Sequence, residues 1–334
     1  MSAVRGRMPY TRAVRELFHI LAGVTCNNNC LFCMEHEGEV RTFRNLHVTP
    51  PRVRELLRAH RAEGAVMFTS GEPTLNPHLR EYVGWARDLG YRRIGLTTNA
   101  RRLGYERYTR RLLEEGLNHV VVSIHGPDAR CHDGQTRTPG SFAQTLAGLE
   151  TLARLKHEHR FTLHTSTVVG TRNYRRLLEL YHLLRAFSID QYVFNVMQPL
   201  GRAAHRAEHV IARYSDIVRE FARLLRAVGE PRPPIFLVDL PLCTTDALPA
   251  PVRGYVEFAT FTEFDAEGQP LERATRVHKE QQNRIKRDDC RRCAYDAGCL
   301  GAWRAYVDAF GWDELVPSRA LPRHLGERRP GPRR

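Results

Sequence analysis

Residues 24–38 read VTCNNNCLFCMEHEG and place Cys26, Cys30 and Cys33 in a C-x3-C-x2-C array directly after an apolar run. Three thiolates this close in a polar loop can bind three corners of a cubane iron-sulfur cluster and leave the fourth iron without a protein ligand. A zinc knuckle is the competing reading. Zinc takes four N or S ligands, usually as C-x2-C with a distant second pair, and only His36 stands close enough in sequence to complete a tetrahedron. A disulfide framework fits less well, because an odd triad cannot pair fully and no signal peptide is evident.

Working outward, the run LFHILAG that precedes the loop has the length and flanks of a buried parallel strand. The cysteines therefore fall at a strand's C-terminal end. Downstream, Thr49 reads as the N-cap of a helix with Pro50 and Pro51 in its first turn and Gly64 as its stop. The rhythm repeats: a strand at 65–69, a helix from Asn76-Pro77 to Gly90, a strand to Thr98, and a helix from about Gly104 to Glu115. A strand at 119–124 leads into a loop carrying His125, His132, Asp133 and Pro139, then a helix begins near Ser141. After a strand ending at Val169 come a helix capped by Asn173, the strand QYVFNVM, and one long amphipathic helix from Arg206 to Val228. Six strand-helix units in this order predict an α/β fold with a parallel sheet and helices outside. The count suits a partial (β/α)6 TIM-like barrel or an open doubly wound sheet, and in both, ligands gather at the C-terminal strand ends.

The chain has 334 residues, 42% of them hydrophobic and 26% charged, which is the composition of a globular protein. No apolar run approaches the roughly eighteen residues of a membrane span. A cytoplasmic setting follows, where eight cysteines point to metal or catalysis more than to disulfides. The net charge of +14 raises the question of an acidic partner, but the arginines are scattered, as in Arg52, Arg54, Arg58 and Arg61 along one helix. The denser runs, including Arg101-Arg102 and Arg107 to Arg111, read as solvated faces without the interleaved aromatics of a strand-stacking platform, so no nucleic-acid partner is expected. GEPRPP, 229–234, marks a boundary. The division is a lead-in over 1–13, a barrel over 14–230, a small α+β extension over 231–325 and a disordered tail over 326–334.

Directly after the second strand stands Ser70-Gly71-Glu72-Pro73. Together with the cysteine triad and the aromatic Phe32 before its last cysteine, this turn resembles the radical S-adenosylmethionine (SAM) superfamily, whose G-G-E-P motif has a glycine where this chain has Ser70. The resemblance implies the partial barrel rather than the open sheet, and a 4Fe-4S cluster on Cys26, Cys30 and Cys33 whose open iron chelates the amino and carboxylate groups of SAM. It implies that Phe32 and the turn Ser70, Gly71, Glu72 and Pro73 border SAM, with Gly71 permitting close backbone approach and Glu72 ordering the turn. It also places Thr98, Asn99 and Ser123 against the ribose or carboxylate and Arg137 as a charged partner of the carboxylate.

Near the C-terminus, Cys290, Cys293 and Cys299 form C-x2-C-x5-C, which resembles the SPASM or twitch extensions that carry auxiliary 4Fe-4S clusters. Cys243 would be the fourth ligand, and Trp303 stands where the full pattern continues with cysteine, which implies one auxiliary cluster. Zinc remains the rival at this site, since four cysteines with one C-x2-C also suit it. Cys131 belongs to neither set. It is a candidate hydrogen-atom donor to a substrate radical, and His132 and Asp133 are candidate acid-base groups.

The expected activity is thus an oxidoreductase-type radical SAM enzyme, supplied with electrons by a flavodoxin or ferredoxin. A ribosomally made peptide or protein is the expected substrate. The chain shows no extra N-terminal segment of the kind that grips a leader peptide, which keeps a small molecule such as a sugar or aminoglycoside as the alternative, followed by RNA. From a different class, a zinc-stabilised binding protein would use both cysteine sets structurally.

Overall fold

Seven apolar segments form one parallel sheet whose strands are neighbours in chain order: β1 (Phe18–Leu21), β2 (Ala65–Thr69), β3 (Arg93–Thr98), β4 (His119–Ser123), β5 (Thr162–Val169), β6 (Gln191–Val196) and β7 (Ile235–Val238). This computed structural model describes residues 18–34, 48–230, 232–248, 263–264, 270–271, 283–296 and 299–319. Among the described residues β1 and β7 do not pair, so the sheet is an open partial barrel.

Each crossover carries helix on the outer face: α1 (Pro50–Ala59), α2 (Leu79–Asp88), α3 (Glu106–Glu114), α4 (Ala129–Thr136), α5 (Ser141–Leu155), α6 (Leu177–Leu184), α7 (Ala207–Val210) and α8 (Tyr214–Val228). The main core lies between this layer and the sheet, where Ile20, Phe68, Leu96, Val122 and Leu163 meet Leu57, Tyr82, Leu112 and Leu152. The opposite face of the sheet has its own small apolar cluster of Met67, Ala65 and Val121. Along β5 and β6 every second residue is buried and, past the exposed Thr162, the alternating residues, among them His164, Ser166, Val193 and Asn195, are half-buried on the inner face. Period-two alternation in a parallel strand reports one wall against helices and one wall lining an open lumen.

Several predicted boundaries shift for identifiable reasons. Thr49 stands at the start of α1 with extended backbone but its side chain makes no capping bond, and Pro51 removes one of the two amides, at N2 and N3, that such a cap would accept from. Asn173 does not cap α6. It accepts from Gly170 N–H at 2.9 Å and donates to the carbonyls of His125 at 3.0 Å and Val168 at 2.8 Å, tying the end of β5 to the segment after β4. The single long helix predicted from Arg206 is two helices, α7 and α8, because Val210 O accepts from Thr171 N–H and the chain runs on with Ile211 and Ala212 buried. The segment read as a loop after β4 contains α4, whose N-cap Asp128 accepts from Cys131 N–H at 2.8 Å. The run IFLV beyond Gly229, predicted in the extension, is the seventh sheet strand, paired with β6.

In the C-terminal part β10 (Arg284–Ile285) pairs antiparallel with β11 (Ala302–Trp303), followed by α9 (Arg304–Phe310). Tyr306 of α9 stacks on Tyr214 of α8 at 3.7 Å and its hydroxyl accepts from Tyr214 N–H, seating this part on the barrel's last helix. A two-residue ladder pairs β8 (Glu263–Phe264) antiparallel with β9 (Pro270–Leu271). The lead-in 1–13, His36 and the tail 326–334 lie outside the described residues. Among the described residues no helix is long and apolar enough to cross a membrane.

Candidate active site at the C-terminal strand ends

The cysteine loop leaves β1 through Gly23, and the turn after β2 is pressed against it. A side chain at Gly71, where φ is +54°, would lie 2.5 Å from Gly23 O and 2.6 Å from Thr25 O. Glycine is therefore required twice over, by space and by backbone. Glu72 N–H donates to Thr25 O at 2.8 Å, closing the contact. Ser70 holds φ at +70°, the conformation that suits the glycine of the related motif, and its buried hydroxyl has no partner among the described residues.

Glu72 is 2% exposed, and all of its partners donate to it. Oε1 accepts from Thr74 N–H at 3.1 Å, Thr74 Oγ1 at 2.6 Å and Thr98 Oγ1 at 2.6 Å, while Oε2 accepts from Asn99 N–H at 2.7 Å. Burial pushes its carboxyl above the usual range, and these donated bonds pull it back. The carboxylate thus joins the ends of β2 and β3, and Thr98 and Pro73 are buried around it. Asn99 carries the link onward, its Nδ2 donating to Asn27 Oδ1 at 2.7 Å.

Two arginines hold the loop from outside. Arg101 Nη1 donates to Asn27 O at 2.5 Å and Asn28 Oδ1 at 2.8 Å, and its Nε to Gln144 Oε1 at 2.6 Å. From the far side Arg202 Nη1 donates to Asn29 Oδ1 at 2.5 Å and Cys30 O at 3.2 Å. Its neighbour Gly201 approaches so closely that a Cβ would sit 2.4 Å from Cys33 O. The loop's own amides finish α4: Asn29 N–H donates to Thr136 O and Leu31 N–H to Gln135 O, each at 2.9 Å. Cys26, Cys30 and Cys33 are half-buried in this frame. Burial first, then the neighbouring Cys26 and Cys33, raise the Cys30 thiol. Sequence reading took Arg101 for part of a solvated run and missed Arg202, Gly201 and Asn27. Their partners stand far away in the chain, so no local pattern marks them.

Phe32 packs edge-on to His125 at 4.7 Å. His125 is 4% exposed and held at every other point: its N–H donates to His132 Nδ1 at 3.1 Å, its carbonyl accepts from Gln135 and Asn173, and its Nδ1 accepts from Val168 N–H at 3.2 Å. An accepting Nδ1 puts the proton of the neutral ring on Nε2. Burial, then His132, hold its pKa well below 6.5. Ser123 is half-buried on the same inner face, opposite Ser166, whose Oγ accepts from Asn195 Nδ2 at 2.9 Å.

Of the other residues singled out after β4, Asp133, Cys131 and His132 are packed or bonded within the fold and Arg137 is not. Asp133 accepts from Gly140 N–H, Ser141 Oγ and Phe142 N–H at 2.7–2.8 Å and so caps α5; burial pushes its carboxyl up, but these bonds leave it below the usual range. Cys131 is 6% exposed, its thiol directed at the carbonyls of His125 and Arg172, and burial raises its pKa. His132 is fully buried, driven by burial to a pKa of about 4. Arg137 caps α4 in the left-handed conformation, exposed and without a partner among the described residues.

The C-terminal cysteines converge. Cys243, Cys290, Cys293 and Cys299 line one cavity, shared with Tyr295 and Trp312. Asp246 fixes the approach of the Cys243 turn by accepting from Tyr295 Oη at 3.0 Å and from Ser318 Oγ. Burial, then the three other thiols, push Cys243 up to about 12. Trp303 is 1% exposed under Arg284, whose guanidinium lies 3.9 Å above its ring. Four thiols around one cavity are a donor set that a 4Fe-4S cluster or a zinc ion could use. Among the described residues no three His, Cys, Asp or Glu side chains are already set around a single-ion position.

Residues 20–184 match the radical SAM superfamily. Over 202 residues the chain is 28% identical to an AdoMet-dependent heme synthase of Methanosarcina barkeri, covering 59% of this chain and 54% of that protein. Over 144 residues it is 35% identical to a GTP 3',8-cyclase of Mycolicibacterium smegmatis, covering 42% and 39%. The chain thus spans about half the length, or less, of these curated relatives. Among solved structures, SuiB of Streptococcus suis bound to S-adenosylmethionine superposes with a TM-score of 0.65 at 16% identity, over 87% of this chain and 73% of that one. Native anSMEcpe with bound AdoMet superposes with a TM-score of 0.60 at 14% identity, over 88% and 90%. At such identities the structural likeness is one of fold, and it is the partial barrel in both. With a cysteine triad at the end of β1 and the GEP turn pressed against it, residues 20–184, just under half of the chain, are similar to the radical SAM superfamily, whose members use a 4Fe-4S cluster and SAM.

Proposed function

We propose that the chain is a radical SAM enzyme that modifies a peptide or protein. Cys26, Cys30 and Cys33 would hold the SAM-binding 4Fe-4S cluster, and Cys243, Cys290, Cys293 and Cys299 an auxiliary one. The chemistry the first cluster supplies is one-electron cleavage of SAM to methionine and a 5′-deoxyadenosyl radical, which removes a hydrogen atom from the substrate. The protein's part is to hold and orient. Arg101 and Arg202 fix the loop, the Gly71 turn offers backbone to the SAM ammonium, and Ser123 and Arg137 offer a hydroxyl and a charge to its ribose and carboxylate.

One observation carries the choice of substrate: the described inner wall of β4 to β6 is hydrogen-bonding yet neutral. Ser123, Ser166, Asn195 and the Nε2–H of His125 can meet amides and hydroxyls, whereas the carboxylates of a tetrapyrrole would call for a cationic side chain there. Structures of SuiB bound to the precursor peptide SuiA, with a TM-score of 0.55, and of anSMEcpe with the Cp18Cys peptide, at 0.59, add support. The buried Trp303, filling the place of a further cysteine, favours one auxiliary cluster over two.

The test is to incubate the anaerobically reconstituted enzyme with SAM, dithionite and short peptides encoded beside it, and to follow 5′-deoxyadenosine and peptide mass. A mass change in a peptide, with matching 5′-deoxyadenosine, is the expected result. Turnover of coproporphyrin or a nucleotide, with no peptide altered, would sink the peptide reading while keeping the enzyme class.

A further inference from the structure

A basic groove of about 390 Å³ opens beside the GEP turn, between the start of α2 and the first turns of α3. Arg80, Arg102, Arg107 and Arg111 line it with Tyr105 and Tyr108, and no carboxylate is among its lining residues. Arg80 is paired with Glu115 at 2.8 Å, and the nearby Glu106 is engaged by Arg110 and Arg154. Arg107 and Arg111 are exposed, with no ion pair among the described residues, and Tyr105 is 72% exposed. A large aromatic left in water amid unpaired cations is the composition of a contact surface rather than of a solvated helix face.

The floor of this groove is linked to the cysteine loop by a short relay of hydrogen bonds through Thr74 and Glu72. Arg102, stacked on Tyr108 at 4.5 Å, donates to Thr74 O at 2.5 Å, and Tyr108 Oη donates to the same oxygen at 3.2 Å. Thr74 donates to Glu72, and Glu72 N–H donates to Thr25 O, next to Cys26. A partner seated here lies one turn of chain behind the loop, while the inner wall of the barrel stays open to substrate.

From this placement we propose that the groove docks an acidic one-electron donor protein of the flavodoxin or ferredoxin kind. The inference rests on the radical SAM activity, whose every SAM cleavage consumes one electron. The donor is oxidised by one electron and the cluster on the cysteine loop is reduced by one, with no proton transferred between the proteins. Charge complementarity would speed encounter and make it salt-sensitive, and a small, transient contact suits a partner that must leave after each delivery.

The decisive experiment compares two reductants. Wild type, Arg107→Glu/Arg111→Glu and the distant control Arg226→Glu are assayed for 5′-deoxyadenosine formation with dithionite, and with a hydroquinone flavodoxin of net negative charge. The expected result is unchanged dithionite-driven cleavage in all three, with the half-saturating flavodoxin concentration raised about tenfold or more in the double variant only, an effect that shrinks as salt rises through about 0.3 M. Equal flavodoxin dependence in all three would overturn the docking while leaving the enzyme intact. Retention of an RNA homopolymer lost in the double variant, with flavodoxin kinetics unchanged, would overturn it in favour of nucleic acid. A wild type that cleaves no SAM even with dithionite would overturn the enzyme reading and the docking with it.

Discussion

The Glu72 carboxylate accepts a hydrogen bond from the Thr98 hydroxyl at 2.6 Å, so the residue that orders the turn after β2 also holds the end of β3. Both sit behind the loop that carries Cys26, Cys30 and Cys33, and the link makes the turn a rigid wall rather than a flexible connection. Replacing Glu72 by Ala leaves four buried donors without an acceptor. Each orphaned group costs on the order of 1–3 kcal/mol, partly relieved by entering water, so a loss of about 3–4 kcal/mol is expected in urea unfolding of the apoprotein. Glu72→Gln keeps the volume but turns an N–H₂ toward donors, and should fall between the two. A loss under about 1 kcal/mol for the alanine variant would contradict this role.

Gly71 and Gly90 both have positive φ, at +54° and +83°, but only Gly71 is crowded. An added methyl meets backbone at Gly71 and open space at Gly90. Gly90→Ala should cost only the left-handed backbone, about 1 kcal/mol. Gly71→Ala must push the Gly23–Thr25 segment away, and is expected to abolish SAM binding by calorimetry while circular dichroism still reports the barrel. Wild-type SAM affinity in Gly71→Ala would refute the close approach.

Metal content separates the two cysteine sets. The reconstituted protein should hold about eight irons and eight sulfides, and Cys290→Ala/Cys293→Ala about four of each with SAM-dependent spectral change retained. About four irons with one zinc in the wild type would instead make the C-terminal site a structural zinc site.

Acid should destabilise this fold. His119 and His132 are buried, and burial lowers their pKa to about 3 and about 4. The unfolded chain takes up these protons near pH 6.5 and the folded one only below about 4, so the unfolded state binds more protons in between. Stability is therefore complete above about pH 6.5 and falls as pH drops, by up to about 2–3 kcal/mol per unit for the two together. Urea titrations from pH 7 to 5 would show it, and His119→Gln should remove about one proton from the slope.

What local signals carried, they carried well. β2 was read to the residue, and β3 to β6 within a residue or two, because buried parallel strands are continuous apolar runs between a helix stop and a turn. α4 was missed because Ala129–Thr136 has a polar, glycine-containing sequence with no apolar stripe, although Asp128 is a good N-cap. Asp133 and Cys131 looked chemical by residue type alone. A capped helix and a packed thiol use the same atoms, and only burial with named partners tells the difference.

The sequence by itself determined the alternation of strands and helices, the likeness to the radical SAM superfamily, and that three cysteines and a GEP turn stand at the ends of successive strands, since spacing and capping are properties of adjacent residues. Tertiary structure alone decided how that end is assembled. Arg202 reaches Asn29 across 173 positions and Arg101 reaches Asn27 O across 74, while four thiols spread over Cys243 to Cys299 close on one cavity. No window of sequence contains those partners; the folded sheet brings them together, and the cost of leaving buried donors and acceptors unmatched selects which pairs form.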